Sequence, residues 1–440
     1  MTQDQRETET VVVGAGAAGL TAAACLVRAG RKVTVLEKSR VCGGRARTRN
    51  QDGFQFNVGP HALYLNGAGR QILAELQIPV QGSPPPHGHA LRGEKLYPLP
   101  RTAAGLWRSS LFSLAGKWAV TRFLASLSKV STRELQAVGF ADWLAAHVRN
   151  EQAQQFLAAT FRLATYTADL ERLSAGAALE QFKMGTAGVL YLDGGWQTLI
   201  DGLQSFVQSR GGQVQTARSA AAIERDGEAI QIRLADGGRI VCRNVVLAAD
   251  PQTVKELLPE AASCLSSGTE RPVLAACLDV ALSRLPEPGR LFALGIDQPL
   301  YFSVHSAVAR LAPRDAAVIH VMKYLSQPAD NSGIIERELE LLLDRLQPGW
   351  REFVVQRRFL PSLTVAHRTV TAECGGLGGR PGPELPGIEG VYLAGDWIGP
   401  VGMLADASFA SGRAAAECIV NQDRSRRTRS AASFRTAQSA

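Results

Sequence analysis

The chain has 440 residues, 45% of them hydrophobic, and a formal net charge of +8. This is enough apolar material for a sizeable core and predicts two domains, while no apolar run reaches the roughly 18 to 20 residues that cross a bilayer. The seven cysteines (25, 42, 242, 264, 277, 374 and 418) are scattered without a CxxC or a Cys/His metal spacing, which predicts a reduced, cytoplasmic setting and no metal centre.

Residues 1–10 are polar, unlike a secretory leader. An apolar run at Val11, Val12 and Val13 then ends in Gly14-x-Gly16-x-x-Gly19, and a helical stretch follows. A second strand-like run, 32–36, ends at Glu37, 18 residues past Gly19. Strand, glycine turn, helix and terminal acid stand in the register of a dinucleotide-binding unit. Gly14 allows the tight turn, Gly16 lets backbone approach a pyrophosphate, and Gly19 lets helix and strand pack closely. Ala17 and Ala18 lie in the first helical turn, whose free N–H groups and positive dipole end suit the pyrophosphate. Glu37, followed by Lys38, is placed to accept hydrogen bonds from ribose hydroxyls. Six residues after Glu37 comes Gly43-Gly44-Arg45, and then an aromatic-rich run ending Gly59-Pro60-His61.

Pro84, Pro85 and Pro86 mark a departure, and 85–190 reads as mostly helical, including 140–148 and 151–164. Between Glu94 and Glu134 there is no acid, but Lys95, Arg101, Arg108, Lys117, Arg122, Lys129 and Arg133 are basic. Trp107, Leu111, Leu114 and Trp118 interleave with them at helical spacing. The segment 95–133 therefore suits either an anionic membrane surface or an inward-packed substrate-domain helix. No nucleic-acid recognition module accompanies the charge, so nucleic acid is not an expected partner. Gly194-Gly195-Trp196 begins a return, with a helix to Ser209 and strands at 213–217, 229–234, 239–242 and 245–249, the last closed by Asp250-Pro251. Strand-like runs at 273–280, 317–325 and 353–359 surround one clear helix, 332–345. A further strand ends in Gly395-Asp396, and 402–412 opens a helix. The tail 424–440, with five arginines and no acid, reads as disordered.

The glycine turn, Glu37, Gly43-Gly44-Arg45 and Gly395-Asp396, in that order, resemble the superfamily of flavin amine oxidases, protoporphyrinogen oxidases and phytoene desaturases. Phytoene dehydrogenase-like members fit best. The resemblance implies an α/β architecture: a Rossmann-type FAD-binding domain from 1–75, 191–268 and 376–423, and a discontinuous α+β substrate-binding domain from 76–190 and 269–375. It implies FAD as cofactor. Gly43 and Gly44 would let the chain pass close to the diphosphate and ribityl arm, Arg45 would offer forked donors to phosphate, and Asp396 would bond a ribityl hydroxyl. The helix opening around Met403, Leu404 and Ala407 would face the pyrimidine edge of the flavin. Ala220, Ala249 and Asp250 fall where the superfamily carries the adenine side. His61 would lie near the isoalloxazine, and is the candidate catalytic or substrate-orienting residue. Cys42 invites a covalent-flavin reading.

Flavin chemistry of this kind asks little of side chains, so the sequence displays the cofactor site better than the catalytic groups. Amine oxidases of the superfamily place a lysine near the flavin N5, and in the stretch 271–280 an apolar residue, Ala275, falls at that position. The expected function is desaturation of a bulky apolar small molecule, isoprenoid- or carotenoid-like, by hydride transfer to flavin N5, with a quinone or oxygen as electron acceptor. A flavin oxidase of protoporphyrinogen or an amine is the alternative. A carrier of prenylated proteins on the same fold is a third, and the intact glycine and acid motifs argue against it. Tyr64, Tyr166, Trp196, Tyr301, Tyr324 and Trp397 are candidates to line the substrate cavity. The expected location is the cytoplasm, with peripheral membrane attachment if the segment 95–133 faces outward.

Overall fold

A computed structural model describes residues 6–438 apart from 228, 266–270 and 329–330. Strand β1 (Arg6–Val13), helix α1 (Ala17–Arg28) and strand β2 (Val33–Leu36) form the opening βαβ unit. β1 runs parallel to β2 on one side and to strand Arg239–Leu247 on the other, with Val11 beside Thr34 and Val245. Strands Gln213–Gln215 and Ile388–Leu393 extend the parallel order outward. An antiparallel pair, Ala220–Asp226 and Ala229–Leu234, attaches to the early half of Arg239–Leu247. Val11, Val12 and Val13 are all buried, as expected of a parallel strand covered on both faces. One cover is a core of α1, helix Gln197–Ser209 and the start of the C-terminal helix Leu404–Gln438; the other holds Ile223, Ile232, Val254 and Trp397.

The carboxyl ends of these parallel strands, Val13, Leu36, Leu247 and Leu393, share one edge. Gly14, Glu37, Ala249 and Gly395 follow within two residues, in the crevice where open α/β sheets bind ligands. Two glycines make the corner possible. Gly14 takes φ +103°, and a Cβ there would lie 2.5 Å from the Ala248 carbonyl oxygen; a Cβ on Gly19 would lie 1.9 Å from the Gly14 oxygen.

A second sheet has the order Val354–Ala366, Val273–Leu282, Ala317–Leu325, Leu300–Val304, Phe292–Gly295, His89–Arg92, Lys95–Pro98. It is antiparallel except where Phe292–Gly295 meets His89–Arg92. Helices Phe140–His147, Glu151–Thr165 and Ala175–Gly185 pack on one face. Helix Ser332–Leu346 covers the other with Ile335, Leu339, Leu342, Leu343 and Leu346, and Asn331 caps it by accepting from the Ile334 N–H at 3.2 Å. All ten residues of Val273–Leu282 are consequently buried.

The structure adds strands at Ala220–Asp226, Phe292–Gly295 and Leu300–Val304 and extends the one expected at 353–359 to Ala366, and it departs from the sequence expectations in three further places. Residues 89–98, inside a stretch expected to be helical, form a hairpin whose two-residue loop places Gly93 at φ +54°. The strands expected at 239–242 and 245–249 are one, because Arg243 is exposed while buried Asn244 stays in register beside Thr10. The C-terminal helix continues to Gln438 through the tail expected to be disordered, where no Gly or Pro follows Gly412 to end it.

Gly19 and Gly16 separate packing from ligand approach. Gly19→Ala is expected to lower the stability of the ligand-free protein by about 1–3 kcal/mol through overpacking. Gly16→Ala, whose Cβ would meet only the Gly43 oxygen at 3.8 Å, should change it by about 0.5 kcal/mol or less. Urea denaturation measures both; equal losses would contradict this packing account.

Candidate active site

One cavity of about 930 Å³ runs from the carboxyl edge of the first sheet to the helix-covered face of the second. Its first part is bounded by Glu37, Lys38, Arg218, Ala220, Ala249 and Asp250, then by Gly14, Gly16, Ala17 and Ala18. Gly43, Gly44, Arg45, Gly395, Asp396 and Leu404 form the middle. The far part is walled by Pro60, His61, Tyr64, Tyr166, Tyr191, Trp196, Tyr301, Met322 and Leu363.

The first part has the construction of a dinucleotide cradle. Gly16 caps α1 without a side-chain hydrogen bond, which leaves first-turn N–H groups free for an anion. A Cβ on Gly44 would meet only the Gly16 Cα, at 3.9 Å, so side chains at either glycine would fill the cradle itself. Glu37 Oε2 accepts from the Ala15 N–H and Oε1 from the Ser39 N–H, both at 2.8 Å. These bonds fix the carboxylate, and each oxygen keeps acceptor capacity for a ribose hydroxyl. Asp250 lines the wall, but its carboxylate caps helix Pro251–Leu257 through the Thr253 N–H and hydroxyl. Burial would raise its pKa, and those two bonds together with His367 bring it below the ordinary value instead.

The middle is an ion cluster. Arg45 Nη1 donates to Asp396 Oδ2 and to the Val365 oxygen, each at 2.8 Å. His367 donates its backbone N–H to Asp396 Oδ2 at 3.0 Å, and its Nδ1 lies 2.9 Å from Oδ1. Burial alone would raise the Asp396 carboxyl, but Arg45 and His367 hold it far below the usual range. Arg380, buried and lowered to about 10, donates to the Asp396 and Gly402 carbonyls and holds the intervening loop. Leu404, which opens the C-terminal helix, takes φ +55°, a sparsely populated conformation for a branched side chain.

In the far part His61 Nδ1 is 3.0 Å from the Gly59 oxygen and its ring is 5.1 Å from Trp196. Burial, with His320 and Arg45 nearby, lowers its pKa to about 4, so the ring is neutral at physiological pH. Asp406 accepts from the Gly69 N–H at 2.8 Å, and burial raises its carboxyl to about 6.

Of the residues singled out from sequence, Gly19, Gly59, Met403 and Ala407 lie behind the wall rather than on it, as do Tyr324 and Trp397. Trp397 is core, bonding the Ala249 oxygen through Nε1. Cys42 is buried off the cavity with its thiol pushed up to about 11, the reverse of a group poised to bond a flavin. Ala275 is also off the cavity, and among the described residues Lys38 is the one lysine on its wall. Sequence reasoning passed over His367, Arg380, Tyr191 and Arg218. His367 and Arg380 carry no local motif, since both act across folds of chain; Tyr191, just before Gly194-Gly195, was within reach of the pattern.

Residues 17–269 match the profile of a family described as flavin containing amine oxidoreductase. A phytoene dehydrogenase of Streptomyces griseus is 25% identical over 273 residues, 54% of each chain. A hydroxyneurosporene desaturase of Rubrivivax gelatinosus is 26% identical over 292 residues, 57% of this chain and 55% of the other. The aligned stretches of the first four curated relatives span 12% to 55% of their lengths. Among solved structures, an oxidoreductase from Methanosarcina mazei superposes with a TM-score of 0.74 at 20% identity, covering 92% of this chain and 99% of that one.

Asp406 makes stability depend on pH. With its pKa raised from 3.8 to about 6, the folded protein retains between those values a proton that the unfolded chain has released. The stabilisation is complete below about pH 4 and is lost as pH rises through about 6, by at most about 3 kcal/mol. Unfolding free energies between about pH 4 and pH 7 should show this slope in the wild type and not in Asp406→Asn; parallel profiles would contradict it.

Proposed function

The chain belongs to the flavin containing amine oxidoreductase family, and on that premise we propose that it is an FAD-dependent dehydrogenase that desaturates a bulky apolar small molecule of isoprenoid or carotenoid type. One observation carries this reading. A single cavity joins a dinucleotide cradle to a pocket of aromatic and aliphatic side chains, with Lys38, at the cradle end, the one lysine on its wall among the described residues. The relatives named phytoene dehydrogenase and hydroxyneurosporene desaturase support the substrate class.

We assign 1–75, 191–268 and 376–423 to FAD binding, and 76–190 and 269–375 to the substrate. The free N–H groups of α1 would hold the pyrophosphate, Glu37 the adenosine ribose, and Arg45 and Asp396 the phosphate and ribityl groups. Ala220 and Ala249 would flank the adenine, and Leu404 the flavin ring. Bound there, FAD supplies a two-electron acceptor. The chain's own part is to orient the substrate against it and keep water out. Neutral His61, between Gly59 and Trp196, is a substrate-orienting group in this scheme. A quinone or oxygen would be the final electron acceptor.

The substrate's apolarity also gives a use for the acid-free segment 95–133. Trp107, Leu114, Trp118 and Leu124 are exposed, Leu114 by 70% and Trp118 by 59%. They sit on helices Ala103–Arg108 and Leu114–Ser126 with Arg108, Lys117 and Arg122. Leu99 and Arg101, just before the first of these helices, line the cavity, as do Pro84 and Pro85 ahead of the hairpin. The surface thus combines interfacial aromatics, cations and proximity to the pocket, as contact with an anionic bilayer requires. No helix among the described residues is long and apolar enough to cross a membrane.

Anaerobic bleaching of the flavin absorption band tests both proposals in one experiment. Phytoene-type polyenes in anionic liposomes are expected to bleach it, faster than the same polyenes in neutral liposomes. Bleaching by protoporphyrinogen or an amine alone would replace the desaturase reading with an oxidase. Equal rates in both liposomes would remove the membrane contact.

A further inference from the structure

Behind the tyrosine wall lies a buried polar chain. Tyr191 and Tyr301 both line the cavity, with hydroxyls 3.2 Å apart. The Tyr301 hydroxyl is 3.3 Å from His305 Nε2, and the His305 ring stacks on Tyr191 at 3.7 Å. His305 in turn meets the edge of His320, ring centres 4.6 Å apart. His320 Nδ1 lies 2.5 Å from Asp279 Oδ1, while Asp279 Oδ2 accepts from Arg358, which also bonds the Asn57 carbonyl. Every member before Arg358 is at most 3% exposed.

The proton positions follow from chemistry. Burial alone would raise the Asp279 carboxyl, but His320 and Arg358 hold it below the usual range. As a carboxylate it accepts the His320 Nδ1–H, which leaves a lone pair on Nε2. Tyr301, its phenol kept protonated by burial, donates to His305 Nε2, which puts the His305 proton on Nδ1. His305 Nδ1 and His320 Nε2 are both buried without a hydrogen-bond partner. One is thus a donor and the other an acceptor, on rings in contact. Each unmet group costs about 1–3 kcal/mol, and together they are the open link of an otherwise continuous chain.

We propose that Tyr191, Tyr301, His305, His320 and Asp279 form a proton relay that takes up the proton released when a substrate in this cavity is dehydrogenated, an inference that rests on the dehydrogenase reading above. Desaturation breaks two C–H bonds. A flavin held in the cradle would be the oxidant, accepting a hydride with its electron pair from one carbon. The neighbouring carbon loses a proton, and that bond's electron pair becomes the second bond of the alkene. The proton passes to the Tyr191 oxygen as Tyr191 hands its own to Tyr301. Tyr301 protonates His305 Nε2, and His305 Nδ1 protonates His320 Nε2. The resulting imidazolium is held against the Asp279 carboxylate, which balances its charge. A C–H bond beside an electron-deficient carbon is acidic, so a weakly basic phenol is base enough.

The Cys277 thiol lies within 4.8 Å of the Asp279 and His320 ligand atoms, a spacing that also suits a metal. Arg358 on the same carboxylate places a positive charge where a cation would bind, and the thiol, raised well above its usual pKa, donates to Asp279 at 3.0 Å. The cluster is a hydrogen-bonded anchor for the relay.

Tyr301→Phe keeps the ring and removes the link. In the flavin-loaded protein, anaerobic single-turnover reduction by a polyene should slow about 10²-fold, the scale of general acid–base catalysis. Its solvent deuterium isotope effect should vanish, with flavin content and substrate affinity unchanged; His305→Gln should behave alike. A readout without turnover is the proton NMR signal of the His320 Nδ1–H, expected strongly deshielded in wild type and lost in Asp279→Asn. Wild-type reduction rate and isotope effect in Tyr301→Phe, or no such NMR signal, would overturn the relay alone. A wild-type protein reduced by no polyene would overturn the dehydrogenase reading and the relay with it.

Discussion

A buried carboxylate, Asp396, holds together stretches of chain that lie far apart in sequence. It lies just past the last parallel strand of the first sheet, pairs with Arg45 of the glycine loop, and accepts from His367 just beyond the long strand of the second sheet. An ionised carboxylate without partners would be costly at this depth; with a guanidinium and an imidazole on its oxygens the desolvation is offset. Both sheets thereby acquire a fixed position relative to the same few atoms. That fixes the cavity between them, and with it the distance from the α1 N-terminus to the tyrosine wall.

The two sheets contribute different physics. The parallel sheet offers strand ends, a helix terminus and small residues, which together suit phosphates and a flat ring system. The second sheet, whose central strands are buried on both faces, offers an apolar wall into which only a few polar groups are set. In the proposed reaction this separation matters, because an apolar substrate needs exclusion of water while the proton it releases needs a polar exit. His61, neutral through its burial, belongs to the first requirement, and the chain from Tyr191 to Asp279 to the second.

Legibility in the sequence followed the range of the interactions. The glycine turn and Glu37 were readable because each depends on residues within one βαβ unit, where a Cβ or a missing acid would break the local geometry. Helices such as Ser332–Leu346 were readable from their apolar stripe. The hairpin at 89–98 was not, since it is stabilised by parallel pairing with Phe292–Gly295 about two hundred residues on. His367 and Arg380 were invisible for the same reason: their partners come from other segments. Met403 and Ala407 show the limit of carrying a motif over residue by residue: Leu404, Ala405, Asp406 and Ser408 line the cavity, while Met403 and Ala407 are buried in the core.

The central claim is that this crevice holds FAD, and the most direct test is the flavin content of the purified protein beside that of Gly16→Val. The account predicts one FAD per wild-type chain, released intact on denaturation, and almost none in a folded Gly16→Val, whose side chain would project into the cradle. A wild-type protein without flavin, or a Gly16→Val variant fully loaded with it, would contradict the account.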